Sequence, residues 1–247
     1  MILIDYNQIA LSNIIIQKLN DENMIRHMIL NSIRMYNKKY RDDYGEMVIC
    51  CDGPNTWRRE YFPEYKANRK KNRDDSGLDW NEVFRILNLV RDEISTNLPY
   101  KVIQLVGCEA DDIIGTLVFE KDKNPRTYLF NHIIKGDSGD GVPNVKSADN
   151  TFVEEGLRQT PIRAKQIEEW LDNSEKLSEV MDSEIYRNYQ RNKTLIDLTQ
   201  IPENISTSII NKFNNTKKPM QMRVLNYLIK KRCNQLIESV EEFYNNG

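Results

Sequence analysis

Met47-Val48-Ile49-Cys50-Cys51-Asp52 decides the fold: a short apolar run closed by a carboxylate. The same arrangement stands at Ile2-Leu3-Ile4-Asp5, and a third apolar run, Val102 to Val106, leads through Gly107 and Cys108 into Glu109-Ala110-Asp111-Asp112. Between the first two runs, Ile25, Met28, Ile29, Ile33 and Tyr36 fall on one face at helical spacing. Parallel strands need such a crossover, so the pattern reads as a βαβ unit. Short apolar runs alternate with longer amphipathic stretches over the first 118 residues, the pattern of an α/β fold with a parallel central sheet and crossover helices.

From about Thr160 the strand pattern gives way to helices. Thr160 can cap a helix with Pro161 in its first turn, running through Trp170. Further helices are expected over Ser183–Leu195, Met220–Lys231 and Gln235–Tyr244. This divides the chain into an α/β region, 1–130, and a helical region, 131–247.

The 247 residues are 39% hydrophobic, enough for a sizeable core, and carry a formal net charge of -2. Apolar runs such as Ile14–Ile16 and Val48–Cys51 are too short to span a bilayer, and the amino terminus lacks a basic segment followed by an apolar one. A cytoplasmic protein without a membrane partner, monomeric, is expected. Cys50, Cys51, Cys108 and Cys233 show no zinc-like spacing and read as reduced core residues. His27 and His132 are far apart and are not read as ligands or bases.

Asp5 and Asp52 each follow a strand, and Glu109, Asp111 and Asp112 open the helix after the third. In an open parallel sheet, the carboxyl edge of the strands is where ligands bind. Like charges gathered there raise one another's pKa, and a divalent cation resolves that conflict. Magnesium accepts oxygen ligands and keeps several waters, and such an ion suits phosphodiester hydrolysis. One aspartate after a strand is often only a turn former or a cap; three successive strand ends are a pattern.

Directly after Asp52, the segment Trp57 to Arg73, WRREYFPEYKANRKKNR, places Arg58, Arg59, Lys66, Arg69, Lys70, Lys71 and Arg73 against only Glu60 and Glu64. Cations can neutralise phosphates, and the interleaved Tyr61, Phe62 and Tyr65 can stack on unpaired bases. Further on, in Gly136-Asp137-Ser138-Gly139-Asp140-Gly141-Val142-Pro143-Asn144-Val145, Asp137 and Asp140 are spaced to face one ion. Gly141 to Val145 reads as a tight hairpin with backbone open to a phosphate or a cation.

In this order the motifs resemble the flap endonuclease and 5′-3′ exonuclease family, in its bacteriophage ribonuclease H group, over nearly the whole chain. The resemblance implies a PIN/5′-nuclease-like α/β fold followed by a helix-hairpin-helix element. Asp5, Asp52, Glu109, Asp111 and Asp112 match the first group of metal carboxylates, for Mg2+ or Mn2+, and Asp137 and Asp140 match ligands of a second ion. The stretch near 57–75 resembles the family's basic arch, with Arg59, Tyr65, Lys66 and Arg69 toward the scissile strand and Arg58 and Lys70 adding charge. Lys66 and Arg69 would stabilise developing charge beside the catalytic Asp5, Asp52 and Asp111. Gly141, Val142, Asn144 and Val145 match the hairpin that grips duplex backbone, where a potassium ion is a further implied cofactor. Substrates would be DNA and RNA:DNA hybrids with 5′ ends or flaps, and partners a single-strand-binding protein and a sliding clamp.

One departure stands out. Family members carry another strand, ending in Asp-x-Asp, between the EADD helix and the second acidic motif. Here only Val118 to Arg126 intervenes before the helical stretch Thr127–Ile134, with no apolar run and no such pair. An inactive relative that binds branched DNA is therefore the alternative to an active nuclease.

Overall fold

A computed structural model describes residues 1–17, 21–119 and 126–244. In chain order the elements are β1 (Ile2–Asp5), α1 (Tyr6–Gln17), α2 (Glu22–Tyr44), β2 (Met47–Cys51), α3 (Trp57–Tyr61), α4 (Arg69–Asp74), α5 (Trp80–Asn97), β3 (Lys101–Gln104), α6 (Ala110–Phe119) and α7 (Arg126–Lys135). Then come α8 (Ala164–Asp172), α9 (Leu177–Val180), α10 (Ser183–Ile196), α11 (Glu203–Asn215), α12 (Arg223–Lys230) and α13 (Asn234–Ile237). The stretch Val118 to Arg126, where the missing strand was noted, falls mostly outside the described residues.

The chain divides into two compact units that are not consecutive in sequence: residues 1–54, 77–114 and 206–247 form one, and residues 55–76 and 115–205 the other. The cut near residue 131 thus describes chain order, while packing crosses it. The basic segment groups with residues 115–205, and the last forty or so residues pack on the sheet.

In the first unit β1, β2 and β3 form a parallel sheet in that order, with Asp5 opposite Cys50 and Cys51 opposite Gln104. Every residue of β2 is buried, as a central strand covered on both faces requires. The crossover α2 starts at Asp21, whose carboxylate accepts from the Met24 amide, and stops at Gly45, whose φ of 77° favours glycine. Ile25, Ile29 and Ile33 are buried as their spacing predicts, and Leu30 with them; Met28 is half-buried and Tyr36 exposed. All four cysteines are free and buried.

The carboxy-terminal segment is tied to this sheet through one ion network. Arg26 on α2, 1% exposed, donates from Nε to Glu93 on α5 at 2.7 Å, and Glu93 also accepts from the Tyr227 hydroxyl at 2.8 Å and pairs with Lys231. The carboxyl terminus folds otherwise than expected. Helix α12 begins at Arg223 rather than Met220, and Gln235–Tyr244 breaks into α13 and a 3-10 turn at Val240–Phe243. Tyr100 holds the second piece, for its hydroxyl donates to the Phe243 carbonyl at 2.7 Å.

In the second unit α10, Ser183–Ile196, ends one residue beyond the expected Leu195. Its Asn188, Arg191 and Asn192 are buried on one face and bind the backbone of the acidic loop: Asn192 donates to the Ile133 and Pro143 carbonyls, Arg191 to Pro143, and Asn188 to Val145 and Ser147. Thr160 does not cap α8. Its amide donates to Ser147 Oγ and its carbonyl accepts from Asn144 Nδ2, so the helix starts only at Ala164.

Burial pushes the Glu93 carboxyl up, but Arg26, Lys231 and Tyr227 outweigh it and hold it below its ordinary value. Asp149 behaves likewise between Arg187 and Arg191. For a depressed carboxyl the stabilisation is complete above the unfolded pKa, about 4, and is lost as pH falls through the folded value. Chemical denaturation followed from pH 7 to pH 3 is therefore expected to show stability declining below about pH 4.5. Arg26→Met, which leaves the buried Glu93 only Tyr227 and Lys231 as partners, should cost roughly 2 to 3 kcal/mol at pH 7, and an unchanged midpoint would remove the network from the account.

Candidate active site

Asp52 lies at the centre of the sheet's carboxyl edge. Its Oδ1 accepts from the Ala110 amide at 2.8 Å, its Oδ2 from Asn7 Nδ2 at 2.7 Å, and its carbonyl from Gln104 Nε2 at 2.8 Å. It thereby joins β2 to the starts of α1 and α6 and to the end of β3. Gly53 makes that approach possible: its amide donates to the Cys108 carbonyl, and a Cβ here would lie 1.7 Å from the Leu105 oxygen.

Two of the other carboxylates, Asp5 and Asp112, cap helices on the same edge. Asp5 accepts from the Gln8 amide in the first turn of α1. Asp112, fully buried, turns back to accept from the Glu109 amide, closing the amino end of α6. Burial pushes the Cys50 thiol up to about 12, with Asp5 and then Asp111 adding to the rise. The Cys51 thiol is raised by burial too, and Asp52 and Asp5 contribute. Asp5 ends β1, Asp52 directly follows β2, and Asp111 stands in the first turn of α6, the helix whose Ala110 amide binds Asp52.

Among the described residues, no three His, Cys, Asp or Glu side chains come close enough together to hold one metal ion. The reason is visible in the bonds: both Asp52 oxygens and one of Asp112 already accept from protein donors. Hard oxygen donors along one edge suit an ion that keeps most of its waters, rather than one enclosed by protein.

The second acidic motif departs further from expectation. Asp137 and Val142 form an isolated antiparallel bridge, and Gly136 has a φ of 70°, where a Cβ would lie 2.3 Å from the Val142 oxygen. Asp140 and Asp137 face protein partners. Asp140 Oδ1 accepts from Arg69 Nη2 at 2.6 Å and pairs with Lys66 Nζ at 3.5 Å, its Oδ2 accepts from the Tyr65 hydroxyl at 2.9 Å, and Asp137 Oδ2 lies 3.3 Å from His132 Nε2.

The hairpin residues Gly141, Val142, Asn144 and Val145 are buried, and their amides donate to Ser138 O, Asp137 O, Gln159 Oε1 and Ile134 O. Carbonyls of Val142, Pro143, Asn144 and Val145, which a potassium ion would need, accept bonds from Asp137, α10 and Ser147. The open backbone read from the sequence is therefore a closed one here.

Within the basic segment, Arg58 is buried and donates to the Leu195 carbonyl, so it is a packing residue. Phe62 and Tyr65 are buried against Val142 and Leu195, which withdraws them from base stacking; Tyr61 is 49% exposed. Arg59, Arg69, Lys70 and Lys71 remain exposed, and Lys66 is half-buried with a left-handed φ of 57°. Sequence reasoning missed Asn7 and Gln104, whose signal was only an amide placed two residues after Asp5 and at the last position of β3.

Residues 2–139 match the family described as 5′-3′ exonuclease, N-terminal resolvase-like domain, and residues 124–243 match T4 RNase H, C terminal. The chain belongs to the 5′-3′ exonuclease family. It is 31% identical to the ribonuclease H of Enterobacteria phage T4 over 98% of this chain and 95% of that protein. That aligned stretch is 289 residues long, against the 247 of this chain, so the relative carries residues that have no counterpart here. Phage T5 5′-exonuclease, solved with zinc bound, shares the fold at a TM-score of 0.57 and 15% identity over 87% of this chain and 98% of that one. A T5 protein co-crystallised with metal ions gives 0.54 and 16%, with 98% of each chain covered.

Gly53→Ala is expected to cost at least about 2 kcal/mol, read as a lower denaturation midpoint, because a backbone oxygen must move. In metal-free buffer Asp140→Asn should lower stability by about 1 kcal/mol; no change would mean that its bonds to Tyr65, Lys66 and Arg69 carry no weight.

Proposed function

We propose that this chain is a metal-dependent 5′-3′ nuclease of the ribonuclease H and flap endonuclease type, which removes RNA primers and 5′ flaps during DNA replication. The observation that carries the reading is the position of Asp5 and Asp52 at the carboxyl ends of adjacent parallel strands, with the acidic start of α6 bonded to Asp52, in a chain matched nearly end to end by a phage ribonuclease H. The substrates are DNA and RNA:DNA hybrids with 5′ ends or flaps. In chain order, residues 1–130 would supply the catalytic edge and the basic segment, and residues 131–247 the duplex-gripping region.

Asp5, Asp52, Glu109, Asp111 and Asp112 would hold Mg2+ or Mn2+, directly or through its waters. Such an ion, when bound, supplies an acidified water and stabilises charge on the leaving oxygen. The chain's own contribution is orientation and charge: Asn7 and Ala110 fix the Asp52 carboxylate, and Arg59, Arg69, Lys70 and Lys71 offer exposed cations to phosphates. Lys66 and Arg69 would meet charge that develops in the transition state. For a second ion, Asp137 and Asp140 would have to release His132, Lys66 and Arg69. No helix among the described residues is long and apolar enough to cross a membrane. The resemblance extends the proposal to a single-strand-binding protein and a sliding clamp as partners in the host cytoplasm.

A 5′-labelled flap duplex incubated with the chain and Mg2+ should be cleaved, and Asp5→Asn should slow cleavage by a factor of about 100 or more. Cleavage no faster than that of the variant would leave the alternative of a branched-DNA-binding relative, whose mark is salt-sensitive binding without turnover.

A further inference from the structure

Beside Asp52, at the carboxyl end of β2, a cleft of about 350 Å³ opens between the first turn of α1, the amino-terminal half of α5 and the end of β3. Asp52 forms part of its wall, together with Asn7, Phe84, Asn88, Arg91 and Gln104. None of these five belongs to the carboxylate set, and three are amides with complementary edges. Asn7 and Gln104 each donate their N–H to Asp52, at 2.7 and 2.8 Å, which leaves the carbonyl oxygen of each as an acceptor. Asn88 is turned the other way: its Oδ1 accepts from Arg91 Nη1 at 2.8 Å, leaving its own amine as a donor. Phe84 is 38% exposed and backed by Trp80, ring centroids 5.5 Å apart.

A flat aromatic face, amide acceptors, an amide donor and a guanidinium in a space of this size are the chemistry that receives an unstacked nucleobase. A lone phosphate would need cations, and Arg91 is the only one among these five, already sharing its charge with Asp92 at 2.8 Å. A purely apolar ligand would leave the amides without partners.

We propose that this cleft holds one nucleobase of the substrate strand next to Asp52, with Phe84 against its face, Asn7 and Gln104 accepting from its N–H groups, and Asn88 and Arg91 donating to its ring or carbonyl acceptors. The proposal rests on the nuclease reading for the presence of a strand there and makes the cleft a subsite that positions that strand. A base seated in it would set the reach from the base to the phosphate presented to Asp52.

Binding can be read without turnover. Adenosine 5′-monophosphate, titrated in metal-free buffer into the full chain labelled with 15N, should shift the side-chain amide signals of Asn7, Asn88 and Gln104 saturably. Ribose 5-phosphate, which has no base, should not. Phe84→Ala should weaken the nucleotide about tenfold, the scale of one lost base–aromatic contact, while Tyr128→Ser, at an exposed position that does not line the cleft, should leave it unchanged. Asp5→Asn protein, silent in the flap assay, should bind the nucleotide as the parent does, so failure of the base site and failure of the nuclease reading are separable. Absence of amide shifts at millimolar nucleotide, equal shifts with ribose 5-phosphate, or undiminished binding by a folded Phe84→Ala variant would overturn the proposal.

Discussion

The arrangement of the candidate site depends on Asp52. A carboxylate at the end of a buried strand has few waters to accept from, so its oxygens draw donors from whatever element is near. Here these are Asn7 at the start of α1 and the Ala110 amide at the start of α6. With the Gln104 bond to its carbonyl, one residue ties together two strands and two helices at the edge where the other carboxylates stand. Gly53 is the geometric condition for this, because a side chain there would hold the Leu105 and Cys108 backbone away. The same bonds explain why the edge does not gather three donors around one point.

A second constraint governs the unit that carries the basic segment. Its acidic loop is held from behind by amides and a guanidinium on α10 and from the front by Tyr65, Lys66 and Arg69. Buried carbonyls without a ladder must find donors elsewhere, and Asn188, Arg191 and Asn192 provide them. The cost is that residues whose types suggest nucleic-acid contact are already committed to protein. Asp140 and the cations of the basic segment therefore form one electrostatic cluster: any ligand that takes the carboxylate frees the cations, and any phosphate that takes the cations frees the carboxylate.

The comparison with phage ribonuclease H adds a length argument. The edge carries Asp5, Asp52 and the acidic start of α6, and the stretch aligned with that relative is longer than the whole of this chain. Among the described residues the sheet has three strands, with β1 at one side. Arg59, Arg69, Lys70 and Lys71 are the exposed cations of the basic segment.

What the amino-acid sequence determined alone was set by local rules. A short apolar run such as Met47–Cys51 between turn signals fits a buried strand, the spacing of Ile25, Ile29 and Ile33 fits a buried helical stripe, and a carboxylate directly after a strand stands at its carboxyl edge. These readings survive because they depend on periodicities of two and 3.6 residues. Tertiary structure decided the rest. Residue type did not reveal that Arg58, Phe62 and Tyr65 turn inward, that Gly141 to Val145 closes on itself, or that residues 206–247 return to the sheet. Each depends on a partner far away in the chain, Leu195 for Arg58, Asp140 for Tyr65 and Glu93 for Lys231, and no local pattern encodes a bond between positions more than seventy residues apart.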